Sequence, residues 1–504
     1  VPAHVNRWLL GDVLRDGLGF TGMVTSDGFG VPQLASLHHV AVDAVDAARQ
    51  AFEAGIDCEV PEPTGATGLP DLVRAGTMSE AVIDRAAGNV LRAKDRLGLL
   101  DHLDDGACAP AQETSTSPPA VDVAAHDRLA LEAARRSIVL LSNPAGVLPL
   151  EPTAVSSILV TGPNAEHAHL GGYCDPDAQG IGVLEGLRRR FDDATIHVEE
   201  GCRITDDRAG PATWWLDRVQ LADPALDDDR LDRAVHAAAG VDVALVVIGG
   251  NEATHREGWW FDHLGDRASL SLVGRQDELV ERIAATGTTT IALVISGGPV
   301  DLRRVVDAAD AVLWTCYPGQ QGGTAIAELL AGDHVPTGHL PVTFPRSSDQ
   351  IPLYAGRRPS AGRGYLHEPA DPLFPFGHGL TYTTFASGLL EVSPTSLPVA
   401  DLEAGATFDL DVDVANTGDR DAIELIRVTV DDPVASVTRP AAGLRAFRTV
   451  AVPAGERTTV TLTVGADDLR LMDRSMQWVI EPGRFDLTVH AGGTTSTAPV
   501  TVTG

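Results

Sequence analysis

Lysine is almost missing from this chain: Lys94 is the only one among 504 residues, so nearly all the positive charge is arginine. That bias reflects genome composition or adaptation to salt, and neither identifies a reaction. Positive charge is short overall. The formal net charge of −32 opposes binding to nucleic acid or to an anionic membrane surface, both of which need basic patches. Cysteine is scarce too. Cys58, Cys108, Cys174, Cys202 and Cys316 are scattered, odd in number and without a Cys-x-x-Cys pair, which argues against a disulfide framework or a zinc knuckle. No stretch approaches the roughly 20 consecutive apolar residues of a membrane span. Val1-Pro2-Ala3-His4 resembles neither a start nor a signal peptide. The sequence therefore reads as beginning inside a longer frame. The compartment leans cytoplasmic, with a signal peptide further upstream left open.

What is present is ordinary for a globular protein, 44 % hydrophobic and 21 % charged, at a length that implies about three domains. Residues 1–100 read as β/α units. Asn6–Arg15 is predicted helical, and the apolar strand Gly22–Ser26 follows. A helix carrying Val45, Ala48, Ala51 and Phe52 stops at Gly55. The strand Ile56–Val60 comes next, then a helix from about Ser79 to Leu97. Two strands with their helices make about the last quarter of an eight-stranded parallel α/β barrel, which takes ~250 residues. Residues 101–123 lose periodicity and read as a linker. Residues 124–385 hold the helix His126–Arg136, the apolar runs Ile138–Leu141, Ile158–Val160, Ala244–Ile248, Thr290–Ile295 and Ala311–Trp314, and helices at Gln276–Ala285 and Thr324–Leu330. Such alternation predicts a largely parallel sheet covered on both faces. From 386 to 504 the period becomes two, at Phe408–Val414, Ile426–Val430, Val460–Val464 and Phe485–Val489, with turns at Asn416–Asp419 and Pro482-Gly483. That is the pattern of a β-sandwich, with no helix expected in it.

Two segments carry candidate chemistry. Asp27 ends the first strand, where parallel barrels place catalytic groups, although an Asp at that position more commonly caps the next element or closes a turn. The loop after Ala244–Ile248 concentrates Glu252, His255, Arg256, Glu257, Trp259 and Trp260, at the place where α/β sheets put ligand-binding loops. A domain-packing loop is the alternative.

The chain resembles glycoside hydrolase family 3, the β-glucosidase and β-xylosidase group, over almost its whole length. Leu10–Arg15, Gly19–Gly22 and Thr25-Ser26-Asp27 are similar to the family's nucleophile strand and its lead-in, and Ala54-Gly55-Ile56-Asp57 to the next barrel strand. Ser137–Asn143 with Leu148-Pro149-Leu150 looks like the start of the second domain. Tyr317–Gly323, Gly338–Pro345 and Phe376–Thr383 are more specific. Asn416-Thr417-Gly418 and Arg439-Pro440 resemble the fibronectin-III-like tail. The implied fold is multidomain α/β: the C-terminal part of a (β/α)8 barrel, an α/β sandwich with a mostly parallel sheet, and a fibronectin-III-like β-sandwich.

The resemblance implies a retaining, exo-acting β-glycoside hydrolase, first a β-glucosidase with β-xylosidase specificity as the alternative. Asp27 would be the nucleophile that forms a glycosyl-enzyme. Glu257, ahead of Asp266-Arg267, would be the acid/base, the two carboxyls standing about 5–5.5 Å apart in a retaining site. Glu252 competes for the second role, but the place of Glu257 before the Asp-Arg pair favours it. Trp259 and Trp260 either stack on sugar or pack against the barrel, and Phe29 stands where the sugar pocket's wall is expected. Asp266 and Arg267 brace the loop. The expected partner is a β-linked oligosaccharide or an aryl or alkyl β-glycoside; a homodimer is allowed for, and no cofactor or metal is expected. His38-His39 and His167/His169 lack a metal-site pattern.

The chain departs from the family at Gly28, where many relatives have Trp, and at Ser142, where lysine is usual. No residue matches the family's earlier sugar-gripping loops, so the 504 residues alone are expected to be weakly active or inactive. Two rivals stand beside this: a non-catalytic carbohydrate-binding fragment, and phosphate binding at Gly297-Gly298 or Gly319–Gly323, which lacks the motifs such binding needs.

Overall fold

The computed structural model describes residues 1–100, 122–175, 178–206, 220–258, 265–359 and 364–504. The chain divides into two units, Val1–Val121 and Asp122–Gly504. Most of the predicted linker lies outside the described residues.

In the first unit, helix α1 (Gly30–Ser36), α2 (Ala44–Ala54), α3 (Leu69–Arg74) and α4 (Glu80–Arg96) surround a small apolar centre. Ala47, Ala48, Ala51 and Phe52 of α2 supply the buried face. Asp43 accepts the Asp46 N–H at the start of α2, and Gly55 ends it at a φ of 133°. The first helix differs from expectation. It runs Trp8–Gly17 as a π-helix, with Leu18 N–H donating to Val13 O, and of its residues only Leu10 is buried.

The two predicted strands are also corrected. Thr25 and Cys58 form a single parallel bridge, supported by Asp57 N–H to Val24 O and Ser26 N–H to Cys58 O, both 2.8 Å. Among the described residues each segment has one neighbour. A parallel pair with no further ladder beside it makes too few bonds to regularise into longer strands.

The second unit opens with α5 (Val123–Ser137), whose start is capped by Asp122 accepting the Ala125 N–H at 2.9 Å. A six-stranded sheet follows: β1 (Val139–Ser142), β2 (Ser157–Thr161), β3 (Thr195–Glu199), β4 (Val243–Gly249), β5 (Thr289–Ile295) and β6 (Ala311–Thr315), in the order β1-β6-β5-β4-β2-β3. All pairings are parallel except β1 with β6. Successive side chains of a strand point to opposite faces, and both faces are covered. Leu245, Leu293 and Leu313 pack with α6 (Val183–Arg190) and α10 (Gly322–Ala331). Val246, Val294 and Trp314 pack with α7 (Asp228–Ala238), α8 (Gln276–Ala284) and α9 (Arg303–Ala308). The near-continuous apolar strands thus have the physical cause that their composition implied.

The C-terminal part is a two-sheet sandwich. β7 (Phe385–Ser393), β9 (Phe408–Asn416) and β12 (Arg457–Val464) make one sheet. β8 (Ser396–Pro398), β10 (Ala422–Asp431), β11 (Gly443–Val452), β15 (Gly483–Ala491) and β16 (Thr494–Thr503) make the other. A short pair, β13 (Leu471–Met472) and β14 (Trp478–Val479), stands apart. Phe408, Leu410, Val412, Ile426, Val428, Phe485 and Leu487 fill the core, and these are the alternating apolar positions of the sequence. The expectation of no helix fails: Val399–Glu403 and Ala466–Leu469 are helical. Both are too short to leave a 3.6-residue period.

Candidate active site

In the first unit Asp27 is held by its backbone and leaves its carboxylate exposed. Ser26 is buried and accepts the Val60 N–H at 3.0 Å, while its hydroxyl donates to Asp27 O at 2.9 Å. Asp27 O also accepts from Gly30 N–H at 3.0 Å, and one carboxylate oxygen accepts the Gly28 N–H at 2.8 Å. The Asp27 N–H donates to Nε2 of His4 at 3.0 Å. Burial pushes the His4 pKa down, against a smaller pull from Asp27, which keeps that ring nitrogen an acceptor. Phe29 follows with a φ of 58° and its ring exposed.

Sequence reasoning gave no role to the carboxylates that fasten this segment from below. Asp57, its side chain fully buried, accepts from Arg15 Nη2 at 2.7 Å, Val24 N–H at 3.0 Å and Asn89 Nδ2 at 2.9 Å. Buried Glu59 accepts the N–H groups of Gly65 and Ala66. Two ion-paired or hydrogen-bonded carboxylates under two short segments fix the turn that presents Asp27.

In the second unit the loop after β4 starts from a rigid base. Gly249 has a φ of 129°, and a Cβ there would lie 2.0 Å from Ile295 O, so only glycine lets β4 and β5 come this close. Fully buried Gln276 clasps Gly249 on both sides, accepting its N–H at 2.7 Å and donating to its carbonyl at 3.0 Å. Asn164 donates to Gly250 O at 2.9 Å. Asn251 and Thr254 close a turn on each other, and Asn251 reaches Thr205 at 3.2 Å. An open cavity of about 470 Å³ borders this base, lined by Asn164, Glu166, Arg203, Asp206 and Asn251. It lies where the strand order reverses between β2 and β4, the usual ligand crevice of such sheets.

The structure separates the two glutamates. Glu252 is turned toward the domain, 3.8 Å from Nδ1 of buried His169, whose ring stacks on Tyr317. Glu257 is exposed. Beyond it the loop returns through Asp266, whose N–H donates to Arg256 O at 3.1 Å. Arg267 lies 3.4 Å from Nε2 of His255 and donates to Ser271 O. Asp266 and Arg267 thus tie the loop to itself. Burial, with Arg267 alongside, pulls the His255 pKa down to about 4, so the ring sits there neutral. Trp259 and Trp260 lie outside the described residues.

No group of three or more His, Cys, Asp or Glu among the described residues is placed to hold a metal. Of the glycines considered for phosphate, the one in the first turn of α10 is occupied. Gly323 N–H donates to Ile181 O at 2.8 Å, and a Cβ on Gly323 would meet Gly182 O at 2.0 Å, so the start of α10 is filled by the approach to α6.

Comparison with known proteins places this geometry. Residues 1–93 match the N-terminal domain of glycosyl hydrolase family 3, 138–382 the C-terminal domain of that family, and 424–492 the fibronectin type III-like domain. A β-xylosidase of Formosa agariphila is 33 % identical over 97 % of this chain and 66 % of its own length. A periplasmic β-glucosidase of Salmonella typhimurium is 32 % identical over 97 % of this chain and 64 % of its own. Among solved structures, a β-glucosidase from Erythrobacter marinus superposes with a TM-score of 0.88 at 36 % identity, covering 100 % of this chain and 66 % of that one. A β-glucosidase from Listeria innocua in complex with glucose gives 0.79 at 26 % identity, again over 100 % and 66 %. The chain spans a little under two thirds of the length of the curated relatives it matches. With both family 3 domains matched over more than half of its residues, the chain belongs to glycosyl hydrolase family 3.

Proposed function

We propose that this chain carries the catalytic pair of a retaining, exo-acting β-glycoside hydrolase. Asp27 attacks the anomeric carbon and forms the glycosyl-enzyme, while Glu257 protonates the leaving oxygen and then deprotonates the water that frees the sugar. The substrate is a terminal β-linked glucose. Phe29, Trp259 and Trp260 are the residues proposed to contact the sugar.

The observation that carries this reading is the contrast between the candidate carboxylates. Asp27 and Glu257 are exposed on rigidly based turns, whereas Glu252 and Asp57 are turned toward His169 and Arg15. A nucleophile must reach its carbon, and an acid/base must reach the leaving group. The names of the relatives support a β-glycosidase and leave glucose and xylose as competing sugars.

Trapping tests the roles. Incubation with 2-deoxy-2-fluoro-β-glucosyl fluoride is expected to add one fluoroglucosyl mass to the peptide containing Asp27, and none in Asp27→Ala. Labelling at another carboxylate would overturn the assignment. The 504 residues alone are expected to hydrolyse p-nitrophenyl β-glucoside weakly, at a rate that Asp27→Ala abolishes, since a single parallel bridge underlies Asp27 among the described residues. A faster rate with the β-xyloside would shift the substrate to xylose. A rate unchanged by Asp27→Ala would favour a non-catalytic carbohydrate-binding chain.

A further inference from the structure

A second cavity, of about 510 Å³, lies between the α/β sandwich and the β-sandwich, inside the second unit and built from neither candidate catalytic loop. One wall is the outer face of the five-stranded sheet. Arg427 of β10 stands opposite His490 of β15, and His490 opposite Thr495 of β16, so three polar side chains form a row across adjacent strands. Their spacing is the interstrand distance of about 4.8 Å, the scale of a sugar ring.

Each group in the row keeps bonding capacity. Arg427 donates one Nη1–H to Phe376 O at 3.0 Å and lies over the Phe376 ring at 5.7 Å, leaving its other N–H groups without a protein acceptor among the described residues. His490 engages Thr429 through Nε2 at 2.9 Å and retains Nδ1. Thr495 is exposed. Glu424 of β10 also lines the cavity, although it leaves the strand on the opposite, buried face from Arg427; one of its oxygens accepts the Gly492 N–H at 2.6 Å. From the facing domain, Thr381 lines the cavity with a buried hydroxyl that has no hydrogen-bond partner. Leu380 and Phe385 supply apolar lining.

These charges narrow the ligand. Glu424 opposes an anion, as does the net charge of −32, and Arg427 opposes a cation. What remains is a neutral molecule with several hydroxyls, able to accept from the guanidinium, donate to the carboxylate and lay an apolar face on Leu380 and Phe385. We propose that the cavity between the two sandwiches is a saccharide-binding site separate from the catalytic carboxylates. Only the choice of β-linked disaccharides as probes rests on the glycosidase reading.

Calorimetric titration of cellobiose and xylobiose into the 504-residue chain carrying Glu257→Gln tests this. One of the two is expected to bind, and Arg427→Met is expected to weaken it by about tenfold or more. Thr495→Val, at an exposed strand position where folding is not at stake, is expected to weaken it measurably and decides the case if Arg427→Met unfolds. Binding untouched by Thr495→Val and Arg427→Lys, or no binding by either sugar, would overturn the proposal. So would displacement of the sugar by citrate, which would mark an anion site. Loss of binding in Asp27→Ala would assign the sugar to the catalytic carboxylate instead. Labelling of Asp27 proceeds or fails independently of all these outcomes.

Discussion

Single polar residues in apolar surroundings decide how the candidate carboxylates are held. Gln276 is the plainest case, since both ends of its amide are spent on Gly249, the residue from which the Glu257 loop departs. Gln276→Leu keeps the size and removes both bonds to Gly249 together with the 2.8 Å bond to Val273 O, leaving a buried N–H and a buried carbonyl of Gly249 unmet. A loss of about 1–3 kcal/mol in the stability of the second unit is expected, measurable by urea unfolding, together with faster proteolysis within the 250–267 loop. Asp57 is the counterpart in the first unit. Asp57→Ala leaves the side chain of Arg15, largely buried, without its carboxylate partner and with only Gly22 O, at 3.2 Å, to accept from it, and is expected to cost about 3–5 kcal/mol. An unfolding midpoint equal to that of the parent chain would show that the clasp contributes nothing.

Whole elements were legible where the physics was repetitive. β4, β5 and β6 are apolar at nearly every position because helices cover both faces of the sheet, and β9, β10 and β15 alternate because one face meets the sandwich core. β3 escaped because it is a short edge strand with only two apolar residues, Ile196 and Val198, on its covered face, and β11 because its alternation is broken by exposed Phe447 and Arg448. The segments beside Asp27 read as full strands but make one bridge, since strand length is set by neighbours as well as by propensity. The candidate carboxylates were legible through motifs. Asn164, Gln276 and Asp57, which hold their segments, were not, because only burial distinguishes them from any surface amide or acid. At this scale Leu293→Ala, at the centre of β5 and fully buried, is expected to cost about 2–5 kcal/mol, read from the denaturation midpoint.

The molecule as a whole should lose stability in mild acid. Burial holds His339 at a pKa of about 4, and burial with Arg267 does the same for His255, against an ordinary 6.5. The unfolded chain therefore takes up these protons first. The stability they represent is complete above about pH 6.5 and falls as the pH drops toward about 4. Asp277 acts with the opposite sign, because burial raises it to about 6 and the folded form holds its proton more tightly. His339→Asn isolates the histidine contribution: its melting temperature should fall less than that of the parent chain between about pH 7 and about pH 4. An equal fall would exclude His339 as a contributor.

Leu380 lies against β1, giving its N–H to Leu140 O at 2.9 Å, and β1 is the outermost strand of the central sheet. The segment that leads into the β-sandwich is thus also the cover on an otherwise open row of backbone groups. A chain cut ahead of Phe374 would bare that row as a template for strand addition. Self-association and precipitation, rather than unfolding of the sheet, are the first failures to look for in such a truncation.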